Sequence, residues 1–320
     1  MAVYTEVADD ELRSFLTAYD LGAVLSFKGI AEGVENSNYM LQTERGTYIL
    51  TLYEKRVARG DLPFFLGLMD HLAAGGFPCP TPVHGKDGTV LRELAGRPAA
   101  IVTFLSGLWP RRILPVHCKG LGAAMARMHL ASASFKLKRE NSLSHDGWRA
   151  IYEGCRGRAD TVQAGLEKVI AAELEFVDEH WPENLPTGVI HADLFPDNIF
   201  FLNETLSGVI DYYFACNDFY AYELAICLNA WCFEPDGSFN VTKARNMLQA
   251  YRGLRPFSAE ELEFMPVLAR GAALRFLLTR LYDLIHHPEG ALVKPKDPLE
   301  YLRKLKFHQR VKGPSAYGLR

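Results

Sequence analysis

Apolar and polar positions alternate along Asn38-Tyr39-Met40-Leu41-Gln42 and again along Thr47-Tyr48-Ile49-Leu50-Thr51-Leu52-Tyr53. A period of two belongs to a strand with one face buried, and Glu44-Arg45-Gly46 between the runs reads as a hairpin turn. The period then changes. Leu62, Phe65, Leu66, Leu68, Met69 and Leu72 recur at near-helical spacing, the helix ends at Gly75-Gly76, and Pro78, Pro80 and Pro82 forbid its continuation. Val90-Leu91 and Pro98 to Phe104 supply further strands. After Gly107 long helical stripes dominate: Leu121, Met125 and Met128; Leu166, Val169, Ile170, Leu174 and Val177; Leu274, Leu277, Leu278 and Leu281. Each places its apolar residues on one core-facing side. The chain therefore reads as a small α/β lobe over 1–102, a connector over 103–107, a larger helical lobe over 108–310 and a polar, flexible tail over 311–320. A length of 320 residues is more than one core usually organises, which also favours two lobes.

One segment of the helical half breaks the helical pattern. Gly188-Val189-Ile190 is a short apolar strand, His191 to Asn198 a polar loop, and Ile199-Phe200-Phe201-Leu202 a second strand. Asn203-Glu204-Thr205 turns the chain into a third strand, Leu206 to Ile210, which delivers Asp211. A hairpin brings its outer ends together, so Asn198 before it and Asp211 after it are expected beside Asp193. That set suits phosphoryl transfer. One carboxylate orients the attacking hydroxyl and accepts its proton, while an amide and a second carboxylate hold Mg2+ against a polyphosphate. His191, Asp193 and Asn198 also fill the H-x-D-x-x-x-x-N spacing of a kinase catalytic loop.

Composition narrows the alternatives. Hydrophobic residues make up 48% and charged residues 23%, with a net charge of -3 and no basic stripe, so a nucleic-acid partner has no support. The acidic start lacks the basic and apolar regions of a signal peptide, and no apolar run is long enough to span a bilayer, so a cytoplasmic protein without a membrane partner is expected. The six cysteines form no C-x-x-C pair and read as small buried hydrophobes. Asp197 reads as a loop residue, and Asp218 as the cap of a helix starting near Ala221. Trp231, Phe233 and the run Tyr212 to Phe214 read mainly as core. Arg270, Arg275 and Arg280 lie on an apolar helix and require partners. A substrate carboxylate, Glu234, Asp236 and Asp283 are the candidates.

The stretch H-A-D-L-F-P-D-N followed by G-V-I-D-Y resembles the aminoglycoside phosphotransferase and choline kinase superfamily, over nearly the whole chain. Residues 29–39, 48–54 and 229–240 look like the bacterial homoserine kinases within it. The resemblance implies an α+β, protein-kinase-like, two-lobed fold, with a small antiparallel-sheet N-lobe that binds nucleotide and a mainly helical C-lobe. It implies ATP and Mg2+ as cofactors, L-homoserine as the small-molecule substrate, O-phospho-L-homoserine as the product and threonine biosynthesis as the setting. Asp193 would be the catalytic base, His191 an organiser of its loop, and Asn198 and Asp211 the metal ligands. Gly29, Gly33, Asn36 and Asn38 would belong to the loop over the phosphates, and Thr103 and Leu105 would meet adenine through their backbone. Two departures stand out. Thr51 occupies the position of a phosphate-pairing cation, with Lys55 or Arg56 as substitutes, and Glu223 replaces a loop-bracing aspartate. Choline or ethanolamine kinase, aminoglycoside kinase and an inactive nucleotide-binding module are the other readings. A lysine- and arginine-rich stretch over 294–320 speaks against a cationic aminoglycoside.

Overall fold

The computed structural model describes residues 4–30, 36–54, 57–287 and 294–319. The chain separates into two units, one made of Met1–Gly107, Ser134–Leu137 and Ser207–Tyr213, the other of the remaining residues.

The first unit runs α1 (Asp9–Leu16), β1 (Val24–Gly29), β2 (Ser37–Thr43), β3 (Gly46–Leu52), α2 (Leu62–Ala74), β4 (Arg92–Leu94) and β5 (Arg97–Thr103). Its strands form one antiparallel sheet in the order β1-β2-β3-β5-β4. The β2–β3 hairpin closes where the alternation predicts, with Thr43 opposite Gly46 and Glu44-Arg45 as the tip. One face of the sheet buries Leu41, Leu50, Leu52 and Ile101 against Leu12, Phe15 and Leu16 of α1. Each such side chain removed from water stabilises the unit by about 1.5–3 kcal/mol. The predicted stripe of α2 is buried as well. The predicted strand at Val90-Leu91 forms two residues later, at Arg92–Leu94, where the Ala95-Gly96 turn, both residues at positive φ, lets the chain fold back on β5.

The second unit contains α3 (Pro115–Ala131), α4 (His145–Glu153), α5 (Leu166–His180), β6 (Thr187–Ile190), β7 (Ile199–Leu202), β9 (Cys216–Phe219), α6 (Tyr220–Trp231), α7 (Val241–Arg252), α8 (Ala259–Ile285) and α9 (Leu299–His308). Strand β8 (Thr205–Val209) starts in it and ends in the first unit. Ser258 and Glu261 cap each other's backbone amides at the start of α8, which then buries Leu268, Leu274, Leu277, Leu278 and Leu281. Gly122 of α3 lies against the Met247 carbonyl of α7, where an added Cβ would come within 2.0 Å. That close approach brings His129, two turns further along α3, to Tyr251 of α7.

Two sequence expectations are corrected here. Asp218 lies in β9, opposite Gly188 of β6, and does not cap α6, whose N-cap is Phe219. Its carboxylate accepts instead from Asn141 Nδ2 at 2.7 Å. The segment expected as a loose tail is held to the core, because Pro314–Tyr317 forms a 3₁₀ turn and buries Tyr317. The Tyr317 hydroxyl bonds His308 Nδ1 at 2.8 Å, and His308 Nε2 meets Asn229 Oδ1 at 3.2 Å. Asn229 gives its own Nδ2 to the Ala225 and Ala269 carbonyls, which fixes His308 as the neutral Nε2–H tautomer.

Candidate active site

Strand β6 is pinned to β9 up to the pair Ile190↔Cys216, and the chain then enters the loop His191 to Asn198. Ala192 follows at φ 63, a left-handed conformation that costs an alanine roughly 1–2 kcal/mol. It is held there from both sides. Its N–H donates to Glu223 Oε1 at 2.7 Å, and its carbonyl accepts from Arg275 Nη1 at 2.8 Å. The other Glu223 oxygen meets His129 Nε2 at 2.8 Å, and His129 Nδ1 meets the Tyr251 hydroxyl at 2.8 Å. Glu223 and His129 are fully buried, so each needs the partner it has. Beyond Asp193, Leu194 offers its carbonyl to Trp231 Nε1 at 2.6 Å.

These anchors set out Asp193, which is half-buried, and His191, which is wholly buried. Asn198 closes the loop. Its Nδ2 donates to the Asp193 carbonyl at 2.8 Å and to Asp193 Oδ2 at 3.0 Å, leaving Oδ1 as a hard acceptor. Asp197 is exposed on the same turn.

Asp211 belongs to the first unit, where it follows β8. The two-residue turn into β8, Asn203-Glu204, has both residues at positive φ, the geometry that matches strand twist in a tight hairpin. Asp211 itself stands at φ 66 and is exposed. In the same unit the Tyr53 and Tyr213 hydroxyls lie 3.1 Å apart. Burial pushes both phenols up, Tyr213 to about 12, and the Asp211 charge adds to the effect.

Among the other expected site residues, Gly29 ends β1 opposite Tyr39. Asn36 Oδ1 accepts from Glu54 N at 3.2 Å, and Asn38 Oδ1 from Thr51 Oγ1 at 2.8 Å. Thr51 is buried, with Asn38 as the partner of its hydroxyl. Thr103 joins Thr81 through its backbone and its hydroxyl. The backbone N–H and carbonyl of Leu105 have no hydrogen-bond partner among the described residues. Gly33, Lys55 and Arg56 lie outside the described residues.

The three arginines of α8 pair with none of Glu234, Asp236 and Asp283. Arg270 pairs with Glu173 at 2.6 Å, Arg275 serves Ala192, and Arg280 pairs with Glu300 at 2.7 Å. The stretch 229–240 is equally structural. Trp231 supports the loop beside Asp193, Lys243 pairs with Glu234 at 2.6 Å, and Asn240 caps α7 through Thr242 N and Lys243 N. Sequence reasoning missed His129 and Tyr251. A histidine beside Met125 and Met128 on an apolar face needs a buried partner, and that was the available signal.

Asp193 on a loop clamped by a buried carboxylate, next to an amide with a spare oxygen, is an arrangement suited to a phosphotransferase of the protein-kinase-like type. The chain belongs to the phosphotransferase enzyme family (APH), whose profile matches residues 26–257. It is 62% identical to a homoserine kinase of Paramagnetospirillum magneticum, over 100% of both chains, and 63% identical to one of Bradyrhizobium diazoefficiens, over 100% of this chain and 98% of that one. Its fold is similar to an amicoumacin kinase solved with AMP-PNP and Ca2+ (TM-score 0.70, 14% identity, 94% and 92% of the two chains). A choline kinase from Streptococcus pneumoniae is also similar in fold (TM-score 0.62, 14% identity, 94% and 97%). Among the described residues no helix is long and apolar enough to cross a membrane.

Proposed function

We propose that this enzyme transfers the γ-phosphoryl group of ATP to the hydroxyl of L-homoserine, giving ADP and O-phospho-L-homoserine in the cytoplasmic route to threonine. The observation that carries the acceptor is identity of 60–63% over the full chain to proteins named homoserine kinase. The Asp193–Asn198 geometry carries the chemistry.

Asp193 orients the acceptor hydroxyl and takes its proton as the new O–P bond forms and the bond from Pγ to the bridging oxygen breaks. Asn198 Nδ2 fixes one carboxylate oxygen of Asp193, and the clamp on Ala192 fixes the backbone that carries it. Positioning of this kind is the largest part of what a phosphotransferase supplies. His191 packs the loop from inside. Asn198 Oδ1 and the exposed Asp211 carboxylate are hard oxygen donors that fit Mg2+. When bound, the ion would offset the charge of the polyphosphate. Residues 1–102 take the nucleotide, 103–107 connect, and 108–310 carry base and acceptor. The N–H and carbonyl of Leu105, without partners among the described residues, suit an adenine edge. Gly29 and its loop, with Asn36 and Asn38, serve the phosphates.

An ADP-release assay with L-homoserine, L-serine, choline, ethanolamine and kanamycin tests the acceptor. L-Homoserine is expected to lead choline, ethanolamine and kanamycin by at least about a thousandfold in kcat/KM, because a site built to pair polar groups rejects analogues lacking them. Faster turnover of choline or kanamycin overturns the acceptor assignment.

A further inference from the structure

The substrate proposed above carries a carboxylate, and its cationic partner has to be found among groups not already committed. Arg270 and Arg280 are paired with Glu173 and Glu300, Lys304 with Glu300 as well, and Arg275 is buried with its Nη1 on the Ala192 carbonyl. Lys296 is different. Its ammonium lies 5.4 Å from the ring centroid of Phe195, two residues after the base, and among the described residues no carboxylate pairs with it.

Lys296 is also presented by an anchored backbone. The next residue, Asp297, gives its carbonyl to Arg280 Nη1 at 3.1 Å and its Oδ1 to Leu299 N at 2.8 Å. A run of ring contacts joins this segment to the catalytic loop, from Tyr301 to Phe276 at 5.1 Å, tilted, and from Phe276 to Phe195 at 5.0 Å, edge to face. The Tyr301 phenol is close enough to feel the charge of Asp193, and its buried hydroxyl has no hydrogen-bond partner among the described residues.

The lengths agree. The Cα atoms of Asp193 and Phe195 lie within about 7 Å of each other, as any residues two apart must. Carboxylate carbon and hydroxyl oxygen of L-homoserine are four bonds apart, about 5 Å when extended. We infer that Lys296, held over Phe195, is the residue that pairs with the substrate carboxylate and sets the preference for an amino acid over an amino alcohol. This inference rests on the acceptor proposed above.

The test compares L-homoserine with 3-amino-1-propanol, which keeps the amine and hydroxyl but lacks the carboxylate. Lys296→Gln is expected to raise KM for L-homoserine roughly 10–100-fold, the range for a lost charged hydrogen bond. It should move kcat/KM for 3-amino-1-propanol less than about threefold, and Lys296→Arg should restore most of the L-homoserine affinity. Unchanged KM for L-homoserine, or equal losses on both compounds, overturns the role of Lys296 while leaving the acceptor intact. Wild-type preference for 3-amino-1-propanol removes the acceptor assignment and this inference with it.

Discussion

The Glu223 carboxylate accepts from the amide of Ala192 at 2.7 Å, so the residue before Asp193 is fixed by a helix 31 positions further along the chain. The other oxygen is on His129, and the side chain must reach both. Glu223→Asp is one methylene shorter and loses one of the two contacts. Its kcat should fall about a hundredfold, the cost of a small misplacement at a reacting centre, with KM for ATP nearly unchanged. Glu223→Gln can still accept from Ala192 and donate to His129, so it should retain activity within about tenfold. Steady-state kinetics decide the matter, and wild-type kcat in Glu223→Asp would remove the clamp from the mechanism.

Asp193→Asn should keep the fold and nucleotide binding while kcat drops by ~10²–10⁴-fold, the usual worth of a positioned base. The asparagine can still bond Asn198 but cannot take a proton. Near-normal turnover with an unaltered circular dichroism spectrum would assign the base elsewhere.

Metal dependence should separate the two proposed ligands. Asp211→Ala removes a full negative charge and should abolish Mg2+-dependent binding of an ATP analogue. Asn198→Ala removes a neutral oxygen and should only weaken it, while also lowering kcat through Asp193. Calorimetric titration of each variant with and without Mg2+ measures this, and unchanged Mg2+ dependence in Asp211→Ala speaks against its role.

Thr51 donates to Asn38 in the first unit. Thr51→Ala should therefore cost about 1 kcal/mol of stability and less than about tenfold in kcat/KM. A larger kinetic loss without a matching loss in denaturation midpoint would mean that the hydroxyl contacts nucleotide.

His308 gives a pH signature. Burial, with Lys304 and Arg270 adding, pulls its pKa down from 6.5 to about 3. The unfolded chain then binds a proton there that the folded chain refuses, so this contribution to stability is complete above pH 6.5 and declines as pH falls towards 3. The urea midpoint of the wild type should drop more steeply from pH 7 to pH 4 than that of His308→Gln. Parallel profiles would show that His308 is not the group responsible.

Local signals made much of this molecule readable in advance. The β2–β3 hairpin, α2, α8 and the loop from His191 to Asn198 all followed from period, turn residues and spacing. Pairing at long range did not. Arg270 finds Glu173 97 residues away, and His129 finds Glu223 94 away, distances at which no periodicity carries information. Asp218 looked like a helix cap because its partner strand β6 lies far back in the sequence. The polar run ending in Tyr317 looked loose because what holds it, His308 and Phe239 among others, is distant or aromatic and leaves no local signal in a polar stretch.

Ala192 and Asp211 both occupy the left-handed region, one before the proposed base and one at the proposed metal ligand. Glycine would relax either backbone, so a directed-evolution campaign that selects for heat tolerance will be drawn towards these positions. At 192 the gain would come from removing the Cβ strain of a left-handed alanine, while the freer backbone of glycine would hold Asp193 less firmly. Thermostability and turnover therefore pull in opposite directions at this residue, and laboratory selection on melting temperature alone would enrich sluggish enzymes.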